Sequence, residues 1–336
     1  MPALLGTGYI PTGALGTQLD AVTRRAFIPS LVVQINNATP MVGAALSNAK
    51  MASGGVSSVT CPVQGVAMTT AAYTDYAGAF DPPSNVQGIF EASYNFKALV
   101  VPIGFLGMEG LVQMDAAVIP IVEARMNDAG NQAAVQLATN LATATTDTAT
   151  NIAGLPAIAA ATGTYGNIDK AANTWFQGLV LAAGTVDPTR ARVLRYIISA
   201  MNRNLGEMPN IGVMGPGTWS LFAQDFQTQE QFFITPGSSF DTTTQGGTTG
   251  LTPLRVARVP IYMDINFTEG ELFLFNTRYT SFYIHQAAAF AFTGFASTIP
   301  SFTLGYVGVL VAVLEFLSVK PRSVTRVTGL NSNTLT

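Results

Sequence analysis

The sequence predicts an α+β protein of elongated shape, and three observations support this prediction. Two strand-like segments, residues 56–72 and 87–105, flank a turn-rich stretch and together indicate a long β-hairpin. Apolar residues recur at helical spacing over 107–146, which predicts one long helix. The rest of the chain alternates between helix and strand patterns up to about residue 280, and residues 279–320 are rich in β-branched and aromatic residues.

The chain is poor in charge. Of its 336 residues only 10% are charged, whereas about 25% is usual, and its apolar share of 48% is ordinary. A free soluble protein displays charge on its surface, so much of this surface is expected to be covered by identical subunits or by a membrane. The longest apolar run, residues 304–319, contains Glu315 and is shorter than the ~20 residues of a spanning helix. Subunit contacts are therefore preferred, and a membrane-associated β-rich protein is a less favoured alternative.

The predicted hairpin is long enough to leave its own subunit. Strands of about 17 residues reach roughly 55 Å, whereas a compact monomer of this size measures about 50 Å across. Such a projection needs a partner, so its aromatic residues are predicted to contact a neighbouring subunit. These candidates are Tyr73, Tyr76, Phe80 and Phe90.

The helical pattern over 107–146 would measure about 60 Å if it formed one continuous helix. Pro120 is expected to kink this helix or to begin a new segment, because proline lacks the N–H that a helix interior requires. Four residues at helical spacing are predicted to face the core: Ala134, Leu137, Ala138 and Leu141.

Three carboxylates lie within eight positions of the segment 259–279, namely Asp264, Glu269 and Glu271. Paired carboxylates can serve acid–base catalysis or bind a cation, but no nucleophile or histidine lies near them. The pattern instead predicts two strands joined by a turn, with Asp264 accepting backbone N–H groups of that turn and the acids keeping the hairpin soluble.

Catalytic chemistry has few residues available elsewhere. The chain has a single cysteine and a single histidine, Cys61 and His285, so a zinc site of the usual Cys/His kind lacks ligands. The glycines of GVMGPG at 212–217 lack the Lys-Ser/Thr of a P-loop and predict a strand-to-helix turn. No catalytic, cofactor-binding or metal-binding residue is predicted, and the protein is not expected to be an enzyme.

The segment 259–279 and two further stretches resemble tailed-bacteriophage major capsid proteins of the Hong Kong 97-like fold. The two further stretches are TYGNIDKAANTW at 164–175 and MPNIGVMGPGTWSLF at 208–222. The order of an arm, a hairpin, a long helix, a mixed region and returning strands is also similar over most of the chain. Within the first segment the matching residues are Pro260, Ile261, Asp264, Gly270, Leu272, Leu274, Asn276 and Thr277.

The resemblance implies a division of the chain into named parts. These are an N-terminal arm (1–50), an extended loop (51–106), a peripheral domain with a spine helix (107–149), an axial domain (150–278), and strands that return to the peripheral domain before a C-terminal tail (279–336).

The resemblance also implies a function. The chain would assemble in the host cytoplasm, as pentamers and hexamers, into the icosahedral shell of a virion around double-stranded DNA. A portal and a separate scaffolding protein are the expected partners, a decoration protein is an optional one, and no cofactor is expected. An encapsulin-like compartment is the alternative within the same fold.

Five basic residues are candidates for contact with the packaged DNA. Because the net charge is −3, the whole chain is not expected to attract nucleic acid, but residues 316–336 contain three basic residues and no acid. Contacts to phosphate are independent of base sequence and weaken with salt. The candidates are Arg24, Arg25, Lys320, Arg322 and Arg326.

Overall fold

The computed structural model describes residues 40–52, 55, 57–66, 73, 88–106, 118–230, 253–297 and 305–333. The predicted α+β class is confirmed within these ranges. The α-helices are α1 (Pro40–Ser47), α2 (Val118–Thr143), α3 (Leu155–Ala159), α4 (Arg190–Arg203) and α5 (Pro216–Glu230). The strands are β1 (Lys50–Ala52), β2 (Ser58–Gln64), β3 (Ile89–Asn95), β4 (Lys97–Leu106), β5 (Thr164–Tyr165), β6 (Ile168–Asp169), β7 (Leu179–Val186), β8 (Ile211–Met214), β9 (Leu254–Val256), β10 (Val259–Met263), β11 (Leu272–Phe275), β12 (Thr280–His285), β13 (Ala291–Ser297), β14 (Gly305–Ser318) and β15 (Thr325–Leu330).

A five-stranded sheet is organised around β14, the long apolar strand of the C-terminal region. Along one edge β14 pairs antiparallel with β4, from Gly305 opposite Leu106 to Leu314 opposite Lys97. Along its other edge it pairs with β13 and then with β12, which in turn pairs with the short β1. The longest apolar run of the sequence therefore forms the central strand of a sheet. No helix among the described residues is long and apolar enough to cross a membrane.

A six-stranded sheet has the strand order β7-β15-β11-β8-β10-β9. Strand β8 lies between β10 and β11 and pairs with both. The predicted hairpin over 259–279 is therefore wrong: the two strands are not neighbours. The turn between Met263 and Leu272 is long enough to pass over β8, and Gly212 of β8 fits closely between Ile261 and Leu274 because it has no side chain.

The strands of residues 279–336 are divided between the two sheets. Strands β12, β13 and β14 belong to the five-stranded sheet, but β15 pairs with β7 and β11 in the six-stranded one. The short turn Pro321–Ser323 carries the chain from one sheet to the other.

The predicted strand over 87–105 is divided at Phe96. Its first part, β3, pairs with β2 in a two-stranded hairpin, from Ser58 opposite Asn95 to Gln64 opposite Ile89. Its second part, β4, joins the five-stranded sheet. Because each part has a different partner, the described hairpin strands have 7 residues each and reach only about 23 Å. Most of the remaining hairpin sequence, 67–87, lies outside the described residues.

Helix α2 accounts for the second half of the predicted helix, and residues 107–117 lie outside the described ranges. Pro120 is in its first turn, where a missing N–H has no intrahelical partner to lose. The 26 described residues measure about 39 Å. The four residues predicted to face the core, Ala134, Leu137, Ala138 and Leu141, are all buried.

The centre of the six-stranded sheet, at β8 and β11, is buried on both faces. On β11, Phe273 and Phe275 pack into the core shared with the five-stranded sheet and α1, α2 and α3. Leu272 and Leu274 point the other way, into a second core formed with α4 and α5. A strand covered on both faces has no polar alternation, which explains why four consecutive apolar residues occur here.

Candidate assembly interface

The base of the β2–β3 hairpin is fixed to its own subunit. Phe90 packs against Trp175 with ring centroids 4.9 Å apart, and a Cβ on Gly65 would lie 2.1 Å from the Trp175 ring. The backbone N–H of Ser93 donates to the carbonyl of Gly166 at 3.1 Å. These contacts therefore hold β2 and β3 against the rest of the same chain.

The four aromatic loop candidates have different environments. Tyr73 is fully exposed, so nothing in the described chain covers it. Phe90 is partly buried against Trp175 and contributes to the hairpin base. Tyr76 and Phe80 lie outside the described residues.

A buried charge cluster lies where the hairpin joins the five-stranded sheet. The Lys97 ammonium donates to Glu315 Oε2 at 2.7 Å and to Asp147 Oδ1. Glu315 is fully buried in β14, and Asp147 follows α2 in the chain. The cluster therefore connects the start of β4, the central strand and the segment after the long helix.

The two carboxylates of this cluster share one cation. Burial raises the pKa of Glu315 to about 8, an effect that Lys97 only partly offsets. Burial alone lowers the pKa of the Lys97 ammonium, but the charges and hydrogen bonds of Glu315 and Asp147 raise it overall. Because Asp147 is the more exposed carboxylate, we assign the ion pair to Lys97 and Asp147, with Glu315 protonated at neutral pH.

A second buried lysine was not anticipated from the sequence. The Lys170 ammonium donates to the carbonyls of Ala157, Ile158 and Ala160 at 2.7, 2.8 and 3.2 Å, where α3 ends. A helix C-terminus stabilises a cation, but burial lowers the pKa of Lys170 to about 7. This amine holds α3 in place and contacts no carboxylate among the described residues.

The three carboxylates of 259–279 have structural partners. Glu269 accepts the backbone N–H groups of Gly217 and Thr218 at 2.8 Å, both at the start of α5, and negative charge is favourable at a helix N-terminus. Glu271 forms a two-point ion pair with Arg326. The prediction that these two acids keep a hairpin soluble is wrong, because α5 and β15 approach them from distant parts of the chain.

Asp264 behaves as the sequence predicted. Its Oδ1 accepts the backbone N–H of Asn266 at 3.0 Å, within the turn that follows β10. The residue is only 2% exposed, and burial raises its pKa even though the Asn266 and Met41 hydrogen bonds lower it. Its carboxylate therefore organises the turn that follows β10.

The five basic candidates are not equivalent. Arg326 is paired with Glu271, and Lys320 is paired with Glu207 at 2.9 Å. Arg322 has no ion pair in the described part of the chain, and its Nε is buried without a hydrogen-bond acceptor there. Arg24 and Arg25 lie outside the described residues.

A cleft of about 120 Å³ opens beside Arg322. One wall is the hairpin base at Val63, and Trp175 and Leu205 are further lining residues. Leu205 is 71% exposed, an unusual position for a large apolar side chain at the edge of a recess. The cleft therefore combines aromatic, aliphatic and cationic side chains.

Metal chemistry finds no support in the ranges that the structure describes, where no group of three or more His, Cys, Asp or Glu residues could hold an ion. Sequence comparison adds no family: no known family model matches the chain, and no curated protein matches it. The fold, however, is shared with solved structures.

A chain of the cyanophage A-1(L) capsid superposes with a TM-score of 0.68 at 15% identity, over 87% of this chain and 93% of that chain. This protein has the fold of a phage capsid subunit. A chain from the phage G assembly of major capsid and decoration proteins gives a TM-score of 0.50 at 10% identity, over 84% of this chain and 88% of that chain. A chain of an encapsulin from Synechococcus elongatus gives 0.51 at 10% identity, over 86% and 88%.

The capsid fold confirms the class that the resemblance implied. The phage neighbours are subunits of multi-subunit shells and are structural proteins. Trp175 and the Lys97 cluster were missed by sequence reasoning, although an acid inside an apolar run, as Glu315 is, indicates a buried partner.

Proposed function

We propose that the chain is the major subunit of an icosahedral shell, assembled from pentamers and hexamers around double-stranded DNA. The observation that carries this proposal is the TM-score of 0.68 to the cyanophage A-1(L) capsid over 93% of that chain. The subunit would form in the host cytoplasm and become part of the virion. A capsid fold of this kind has no known need for a cofactor, and the proposed role is structural.

The surface of the subunit supports a role in assembly. Several large apolar side chains are exposed, on β1, β3, β4, α4, the turn after α4 and the turn after β10. In a chain with 10% charged residues, these positions are the expected contacts of an extended subunit interface. They are Met51, Ile89, Val100, Ile198, Leu205 and Ile265.

The parts of the subunit follow from the capsid assignment. We assign residues 1–50 to the arm, 51–106 to the extended loop, and 107–149, with α2 as spine helix, to the peripheral domain. The axial domain, 150–278, contains five of the six strands of the larger sheet, and β15 completes it. The remaining strands of 279–336 belong to the peripheral domain.

The encapsulin-like compartment is the second candidate, because an encapsulin from Synechococcus elongatus shares the fold. We favour the virus, since the TM-score is 0.68 for the cyanophage chain and 0.51 for the encapsulin chain. The contents of the shell distinguish the two functions. Long DNA protected from nuclease supports the virus, and a packaged enzyme supports the compartment.

The partners follow from the same proposal. A portal and a separate scaffolding protein are expected for a DNA-filled shell, with a decoration protein as a possible addition to the outer surface. No membrane partner is proposed. The direct test is to express the chain with and without its neighbouring genes and to image the purified particles by electron cryomicroscopy. Closed shells are expected, and soluble monomers under all conditions would contradict the proposed function.

The hairpin is proposed to lie over an adjacent subunit, and deleting its tip tests this. Removing residues 70–88 leaves the base at Phe90 and Trp175 in place, so the subunit is expected to fold and to accumulate as capsomers or monomers. Sedimentation measures shell yield, and circular dichroism checks that folding is retained. Normal particles from a folded deletion variant would contradict this role of the hairpin.

The DNA contact is proposed for Arg24 and Arg25, because Arg326 and Lys320 already have partners in the chain. Replacing both arm residues with Gln is expected to lower the thermal stability of full particles more than that of empty ones, with a difference that shrinks as salt increases. Arg326→Gln is the control, and it should weaken both kinds of particle equally. Equal effects of the arm substitutions on both particles would refute the DNA contact.

A further inference from the structure

Two arginines, Arg203 and Arg322, lie on elements that contact each other. Arg203 is the last residue of α4, and Arg322 is in the turn that joins the two sheets. The Nε atoms of both are buried, and neither has a hydrogen-bond acceptor among the described residues. The Nη2 group of Arg203 donates hydrogen bonds to the carbonyls of Thr174 and Gln177, at 2.9 and 3.3 Å. Each guanidinium group therefore has one buried N–H that the described chain does not pair, and Arg322 also lines an open cleft.

The neighbouring charges do not neutralise this pair. Burial, and then the positive charge of Arg322, lower the pKa of Arg203. The carboxylate of Glu207 is the nearby acid, but it accepts from Lys320 at 2.9 Å and from Tyr279 at 2.7 Å. Adjacent like charges that are partly withdrawn from water are unfavourable, so the arrangement is suited to an anionic group supplied from outside the subunit.

The cleft beside Arg322 indicates what kind of group this is. Its lining is mostly apolar and includes Val63, Trp175 and Leu205. Tryptophan and arginine are enriched among the residues that dominate protein–protein binding energy, and an exposed leucine beside them gains from being covered by protein. Contacts to DNA phosphates, in contrast, use rows of open, hydrated basic side chains. A protein side chain is therefore the better fit.

The chain itself contains a segment of matching chemistry. Residues 73–85, YTDYAGAFDPPSN, include two acids and three aromatic residues and no basic residue. Tyr73, at the start of this segment, is fully exposed on its own subunit. The acids are Asp75 and Asp81, and an aspartate flanked by aromatic residues can satisfy the arginine donors and cover Trp175 and Leu205 together.

We propose that the cleft between the hairpin base and the Pro321–Ser323 turn, which is lined by Arg322, binds an aspartate of the 73–85 segment of a second copy of this chain. This proposal rests on the proposed function and specifies the site at which neighbouring subunits recognise each other. The Arg322 guanidinium supplies charge-assisted hydrogen bonds, and the apolar walls exclude water around them.

Charge exchange tests the contact. Arg322→Glu alone, and Asp75→Arg or Asp81→Arg alone, are each expected to lower shell yield at least about tenfold, a factor that corresponds to about 1.4 kcal/mol. Combining Arg322→Glu with the correct aspartate substitution should restore the yield to within about twofold of wild type. Arg195→Glu makes the same change of charge at an exposed position of α4. It is the matched control and should assemble normally. No rescue by either combination would refute the contact.

Disulfide trapping tests the same contact with both arginines intact. In a Cys61→Ala background, Leu205→Cys is combined with Phe80→Cys or Asp81→Cys, and assembled particles are oxidised. Covalent dimers and longer chains on a non-reducing gel are the expected result.

Closed shells without intersubunit disulfides, or with disulfides only within one chain, would overturn the inference while leaving the proposed function intact. If wild type forms no shells, the proposed function itself fails. If Arg322→Glu instead reduces DNA content at unchanged shell yield, the cleft binds phosphate and the inference is wrong.

Discussion

Replacing Leu274 with Asp is expected to prevent the chain from folding. Leu274 is fully buried in the core that the six-stranded sheet forms with α4 and α5. Losing the buried leucine costs about 2–5 kcal/mol, and an unpaired carboxylate in its place costs several kcal/mol more or is forced to take up a proton. Since native domains are stable by only about 5–15 kcal/mol, the variant should aggregate, which sedimentation of the lysate measures.

Two control substitutions show whether burial is the cause. Ile265→Asp makes a similar apolar-to-acid change at a site that is 78% exposed and should leave the soluble yield unchanged. Asp264→Asn keeps a hydrogen-bond acceptor for Asn266 and removes a carboxyl group whose pKa burial raises, so stability at neutral pH should be unchanged or higher. If Asp264→Asn abolished assembly while Leu274→Asp was tolerated, the segment 259–279 would be a functional site and not part of the core.

The buried elements could be predicted from the sequence because their signals are local. The apolar runs at β11 and β14 and the helical spacing of α2 depend only on residues next to one another in the chain. The turn at Asp264 was also predictable, since an aspartate accepts a backbone N–H two residues further on. These features required no knowledge of what packs against them.

The pairing of strands could not be predicted in the same way. Strands β10 and β11 read as a hairpin because they are close in sequence, but β8, which precedes them by about fifty residues, separates them. Glu269 likewise finds its partners at Gly217 and Thr218 only after the sheet has formed. A strand order depends on competition between distant segments, for which a single sequence offers no local signal.

The candidate interface shows the same limit. The length and the aromatic residues of the hairpin predicted a contact, but its counterpart at Trp175, Leu205 and Arg322 is assembled from a loop, the residues after one helix and the turn between the two sheets. The tryptophan carried a weak signal, being one of two in the chain. The unpaired arginines carried none, because an arginine in a sequence does not reveal whether it has a partner.

Replacing Lys97 with Met is expected to destabilise the subunit by about 3–5 kcal/mol, the usual cost of removing one partner from a buried ion pair. The change leaves the Asp147 carboxylate without its cation and the buried Glu315 without the Lys97 hydrogen bond. Because Lys97 begins β4, the junction between the hairpin and the five-stranded sheet should loosen first. Hydrogen exchange should therefore show faster exchange in β3 and β4, together with a lower denaturation midpoint. Unchanged exchange there would mean that the ion pair does not hold the junction.

The same cluster predicts how stability depends on pH. Glu315 has a pKa of about 8 in the folded protein, above its ordinary value of 4.5, so between these values the folded state binds more protons than the unfolded one. The free energy of unfolding should therefore fall as pH rises from about 4.5 to about 8 and level off above that.

Glu315→Gln keeps a hydrogen-bond acceptor for Lys97 but cannot ionise, so denaturant midpoints measured at several pH values should decline less steeply than those of wild type. Glu91→Gln, the same change at an exposed position of the hairpin, should keep the wild-type slope. If wild type and Glu315→Gln showed the same slope, Glu315 would already be ionised in the folded subunit, with Lys97 neutralising it as well as Asp147.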